Sequence, residues 1–155
     1  MPPSPRIKAD IDQEKYKALC FSLNLVRPPS IRFVTTGYQA QRNVTHHGNY
    51  GPETNSIVIF LNLESFDMER LRFLTSCVLH TFLHEMRHAW QQQTWTKEQW
   101  FKDDSFEYHA KPSERDANNF ANTQDHLWRG LVRIRRVQHG SGFSKLARHT
   151  AGRIV

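Results

Sequence analysis

Apolar residues recur along this chain with two different periods, and the switches between them mark the elements. Ile11, Tyr16, Leu19, Cys20 and Leu23 fall at roughly helical spacing, which predicts a first helix capped by Asp10 or Asp12 and ended before Pro28 and Pro29. The β-branched and aromatic run IRFVTT, residues 31 to 36, predicts a strand. A polar stretch from 37 to 55 follows, with room for a second short strand, and then SIVIFLNL, residues 56 to 63, the clearest strand of the chain. From about residue 67 to 92, Leu71, Leu74, Val78, Phe82 and Met86 recur at spacings of three and four, which predicts a long helix. Residues 94 to 112 are aromatic, polar and without period, and are expected to form a covering loop with Trp95 and Trp100 on it. Ser113, with Asp116 three residues on, predicts a capped helix that runs through Ala117, Phe120 and Ala121 to Trp128 and on toward Val137. Gly140, Ser141 and Gly142 break the chain before a tail of low apolar content.

Composition narrows the class. A length of 155 residues with 38% apolar content supports one core, so a single α+β domain is expected over 1–137, with a basic tail over 138–155. No run approaches the roughly 18 to 20 apolar residues that cross a bilayer. The opening segment also lacks the apolar centre of a secretory signal, so a soluble cytoplasmic protein without a membrane partner is expected. Cys20 and Cys77 sit in apolar helical patterns and are expected to be buried thiols rather than a disulfide.

The net charge of +6 is unevenly distributed. No acidic residue follows Asp125, while residues 1 to 128 carry 14 basic and 15 acidic groups. On a helix Arg129, Arg133 and Arg136 would form one stripe, opposite Leu127, Leu131 and Ile134. With the tail, that stripe would suit a nucleic acid; as plain structure it would be the solvated face of an amphipathic helix.

The stretch LHTFLHEMRHAWQQQ places His80, His84 and His88 on one helix face. Residues four apart lie about 6 Å apart along the axis, so two such imidazoles can converge on one ion. Zinc takes His nitrogen at about 2.0–2.1 Å, and a catalytic zinc keeps three protein ligands and an open position for water. His80 and His88 are about 12 Å apart, too far to share that ion. Only the pair His84 and His88 encloses a glutamate, Glu85, able to take a proton from the attacking water and return it to the leaving amine. Downstream candidates for a third ligand are Glu98, Asp103, Asp104, Glu107, Glu114 and Asp116. Glu107 falls near a loop, whereas Glu114 falls in the first turn of a predicted helix, where packing fixes position.

HEMRH followed by SERDANNFA resembles the ImmA/IrrE group of intracellular metallopeptidases, whose pattern is His-Glu-x-x-His and then Glu-x-x-Ala-Asn-x-Phe-Ala on the next helix. Here the second part is Glu114, Ala117, Asn118, Phe120 and Ala121, and the resemblance implies that Glu114 is the third zinc ligand. It also implies a minimal gluzincin-like core, with a small, mostly antiparallel sheet beside the motif helix and a following helix carrying Glu114. The edge strand of that sheet, expected to be 56–63, would line the cleft and hold an extended peptide by strand addition. The polar, tryptophan-rich HAWQQQTW is closer to phage and bacterial metallopeptidases of this kind and, more distantly, to SprT-like proteases.

A hydrolase also needs a donor for the developing oxyanion. Tyr108 is the first choice, ahead of His109 and His126. Asp116 is expected to orient a ligand histidine through its free ring nitrogen. The adjacent pair His46 and His47 is expected at the surface. These residues together predict a zinc metallopeptidase acting on a protein or peptide substrate. The alternative is a non-catalytic nucleic-acid-binding or regulatory protein with a structural metal or none. A third reading combines the two, as a peptidase acting on DNA-bound proteins.

Overall fold

The structure, a computed structural model, describes residues 6–36, 47–62 and 71–137. The chain folds as an α+β domain of two small sheets and a long helix, in the order β1 (Arg6–Ile11), α1 (Gln13–Ser22), β2 (Ser30–Thr36), β3 (Gly48–Gly51), β4 (Ser56–Asn62), α2 (Leu71–Thr94), α3 (Lys97–Asp104), α4 (Pro112–Gln124) and β5 (Val132–Val137), with short 3-10 turns at Tyr108–Ala110 and Asp125–Trp128. No helix among the described residues is long and apolar enough to cross a membrane. The Gly140–Gly142 break, the basic tail, His46 and the start of the long helix at 67–70 lie outside the described residues.

Asp12 caps α1 as its position suggests, its side chain accepting from the Lys15 N–H at 3.1 Å. Ile11, expected on that helix, instead ends β1. The strand exists because of residues some 120 positions away: Ile11 pairs with Val132 and Arg6 with Val137 in an antiparallel ribbon. Its outer face carries the diagonal ion pairs Asp12–Arg133 at 2.8 Å and Asp10–Arg135 at 3.4 Å.

This ribbon overturns the expected helix from Ser113 to Val137. Helix α4 stops at Gln124, Gly130 turns the chain at φ +84°, and Val132 and Ile134 then alternate with Arg133 and Arg135 at the period of a strand. Arg129, Arg133 and Arg136 therefore form no stripe. Arg129 lies in the turn, and Arg133 and Arg136, three apart on a strand, face opposite sides.

The second sheet is mixed, in the order β2-β4-β3. β2 runs parallel to β4 along its whole length, and β3 pairs antiparallel on the other side. The run at 56–62 is thus the central strand rather than the expected edge, consistent with Ile57, Ile59 and Leu61 being fully buried. The edge beside α2 is β3. Its approach is close enough to require glycine: a Cβ on Gly48 would stand 2.7 Å from Thr81 Cγ2.

Leu19, Cys20 and Leu23 of α1, Ile57, Ile59 and Leu61 of β4, and Val78, Leu79, Phe82, Leu83 and Met86 of α2 form the core with Leu131, Val132 and Ile134. Each large side chain so buried contributes about 1.5–3 kcal/mol against exposure. Cys20 is buried as expected, but Cys77 is exposed on α2.

Segment 94–112 is not a loop throughout. Thr96 and Gln99 form a capping box that starts α3, whose last turn buries Asp103.

Candidate metal centre

Helices α2 and α4 lie antiparallel, as their contacts require: Gln91 meets Ser113, His84 and His88 meet Glu114, and His80 meets Asn122. His84 and His88, one turn apart on the same face of α2, both meet the single carboxylate of Glu114, so the three side chains converge. His84 Nε2 lies 3.0 Å from His88 Nε2 and 3.1 Å from Glu114 Oε2, and His88 Nε2 lies 3.2 Å from Glu114 Oε1. Ligand atoms around a tetrahedral zinc with bonds of about 2.0–2.1 Å stand roughly 3.3 Å apart. The spacing therefore suits that ion, and the donor set of two imidazoles and a carboxylate suits zinc chemistry. Burial alone would raise the Glu114 carboxyl, but its hydrogen bonds with His84 and His88 and their charge outweigh it and hold the group well below the usual carboxylate range.

Glu85, 7% exposed, stands beside the triangle and does not belong to it. Burial pushes its pKa up, and nearby His88 and His84 oppose that shift. The Tyr50 backbone on β3, the strand packed close against α2 at Gly48, opposes it as well. Both groups open onto a cavity of about 570 Å³, with α2 as floor, β3 and Pro52 on one side, and Trp100, Tyr108 and Lys111 on the other.

Of the six downstream carboxylates, only Glu114 meets the histidines. Tyr108 lines the same cavity, half exposed, and its hydroxyl pKa is raised by partial burial and by the adjacent Glu114 carboxylate, to which it hydrogen-bonds. His109 and His126 do not line it. His80 does, with its Nε2 2.7 Å from Asn122 Oδ1, and exposed His47 stands at the rim. Trp95 packs tilted against Trp100, at 5.0 Å between centroids and 49° between planes, behind the cavity wall that Trp100 lines.

Asp116 touches neither ligand histidine, contrary to expectation. Its carboxylate accepts from Arg87 Nε at 2.8 Å and from Gln91 Nε2 at 2.9 Å. Ser113 does not cap α4 either. Pro112 occupies the first turn, where its missing N–H costs nothing, and Ser113 donates through its N–H at 2.7 Å and its hydroxyl at 2.8 Å to Asp103. Asp103, 2% exposed, thereby clamps the turn that carries Glu114. Sequence reasoning missed it, although Thr96-x-x-Gln99 was a legible helix start. Asp103→Ala should cost about 1–3 kcal/mol by leaving the Ser113 N–H and hydroxyl buried without partners. Chemical denaturation measures this, and a loss below ~0.5 kcal/mol would mean that the clamp carries no load.

No family model, curated protein or solved structure matches the chain, so a functional reading rests on this geometry.

Proposed function

We propose that the protein is a zinc-dependent metallopeptidase that hydrolyses peptide bonds of a protein substrate, with His84, His88 and Glu114 as ligands and Glu85 as general base. The observation that carries this reading is the pairing of a three-donor cluster with a separate, buried carboxylate, both facing one cavity. A structural site has no use for Glu85, and burying a carboxylate without a task is costly.

Bound zinc would supply Lewis acidity and bring the pKa of water close to neutral. The rest belongs to the chain. Glu85 accepts a proton at its carboxylate from the attacking water and passes it to the nitrogen of the leaving amine. Its raised pKa suits both steps, because a proton taken too weakly or held too tightly would stall one of them. Tyr108 donates its hydroxyl hydrogen to the carbonyl oxygen as negative charge develops there. The substrate lies extended along β3, the sheet edge that borders the cavity. A motif helix, an edge strand bordering the cavity and a third donor on α4 support this reading. The nucleic-acid alternative loses the arginine stripe and rests on the basic tail, which lies outside the described residues.

The test combines zinc content by plasma mass spectrometry with hydrolysis of unfolded casein. One zinc per chain, and hydrolysis abolished by chelation and restored by zinc, is expected. Protein that neither retains nor takes up zinc would sink the reading.

A further inference from the structure

Gln91 is fully buried, one turn beyond His88, where a carboxamide is costly unless its polar atoms are paired. Its nitrogen donates to the Ser113 carbonyl at 2.8 Å and to Asp116 Oδ2 at 2.9 Å, and its oxygen faces His88 Nδ1 at 2.8 Å. Those contacts fix which end of the amide is which. A carbonyl and a carboxylate only accept, so the NH2 end must face them, and Oε1 must face the imidazole. An amide oxygen also only accepts, so His88 Nδ1 must carry a hydrogen. In the neutral ring the lone pair is then at Nε2, the atom that meets His84 and Glu114.

Asp116 is anchored in turn. Arg87 grips it through Nε at 2.8 Å and Nη2 at 3.3 Å, while the guanidinium lies 3.7 Å over the Trp90 ring and 5.1 Å from that of Phe120. A chain of contacts thus runs from aromatic residues on both helices through Arg87, Asp116 and Gln91 to His88.

We propose that Gln91 is a positioning residue that holds His88 as its Nδ1–H tautomer, with the Nε2 lone pair aimed into the metal site, and that Asp116 and Arg87 act on the site only through Gln91. The inference rests on the zinc-site reading above for its functional meaning, but the tautomer itself can be read without metal. A purely packing role would predict that a side chain of the same length serves equally well.

Three proteins decide it: wild type, Gln91→Met, and the double variant Gln91→Met with Asp116→Ala. Methionine keeps the length and removes every hydrogen bond. The double variant also removes the Asp116 carboxylate, which matters to the site only if Asp116 acts other than through Gln91. Zinc affinity should fall about 10- to 100-fold in Gln91→Met, the range typical of lost outer partners of a ligand, and the double variant should match Gln91→Met within about twofold. Long-range nitrogen–proton NMR on metal-free protein at alkaline pH should show His88 protonated at Nδ1 in wild type. In both variants it should show the Nε2–H form that solvated imidazoles favour. Gln91→Met with zinc affinity within about twofold of wild type and an unchanged tautomer would overturn the proposal, as would a double variant about tenfold weaker than Gln91→Met. If Gln91→Met does not fold, the wild-type tautomer still decides, since an Nε2–H form there overturns the proposal. A wild type that binds no zinc yet shows Nδ1–H would remove the zinc reading alone.

Discussion

Glu85→Gln should leave zinc content and fold unchanged and lower casein hydrolysis by about 10²- to 10⁴-fold, the range attributed to a positioned general base. The substitution is nearly isosteric, so the packing of α2 against β3 is kept. It removes a buried ionisable group that lies outside the three-donor triangle, so affinity for the metal should change little. What disappears is the capacity to take a proton, since an amide oxygen is far too weak a base. Parallel measurement of zinc per chain, thermal midpoint and turnover separates the roles. Turnover within about tenfold of wild type with full zinc would remove Glu85 from the mechanism, and turnover lost together with zinc would make it part of the metal site.

That experiment rests on residues legible from the chain alone, and the reason is locality. His84, Glu85 and His88 lie within five positions of one helix, and helical geometry fixes their relation before any tertiary contact. The Asp12 cap was legible for the same reason, since a cap acts over three residues. Glu114 needed more, a second helix whose first turn faces the first, and it was reached by a rigid-element argument and a resemblance.

What was misread depended on distant partners. Nothing near Val132 announces that its pairing partner is Ile11, and helical propensity of a stretch yields readily to a sheet partner that buries its apolar face. The same blindness made β4 an edge. A continuous apolar run marks a strand buried on both faces, but the neighbours on either side are set by topology. Asp116, expected against a ligand histidine, does not reach one, because Gln91 fills the space between it and His88.

Glu114→Ala should abolish stoichiometric zinc and, with it, the stabilisation that zinc gives. In wild type at free zinc of about 100 times Kd, the folded state gains about 2.7 kcal/mol over the metal-free protein by mass action. For a domain of this size that raises the thermal midpoint by roughly 5–10 °C. With alanine at 114 the two imidazoles still face each other across 3.0 Å, but two neutral nitrogens without the carboxylate no longer close the shell, and the anion that offsets the charge of the ion is gone. The zinc-dependent shift should therefore fall to within about 1–2 °C of zero at the same zinc concentration. The metal-free variant should also be less stable than metal-free wild type by about 1.5–3 kcal/mol, the value of hydrogen bonds to a charged group. These two losses are separable, since one depends on zinc and the other does not. A full zinc-dependent shift retained in Glu114→Ala would assign the third ligand elsewhere, and the other carboxylates at the cavity, Asp103 and Asp104, would be the next to substitute.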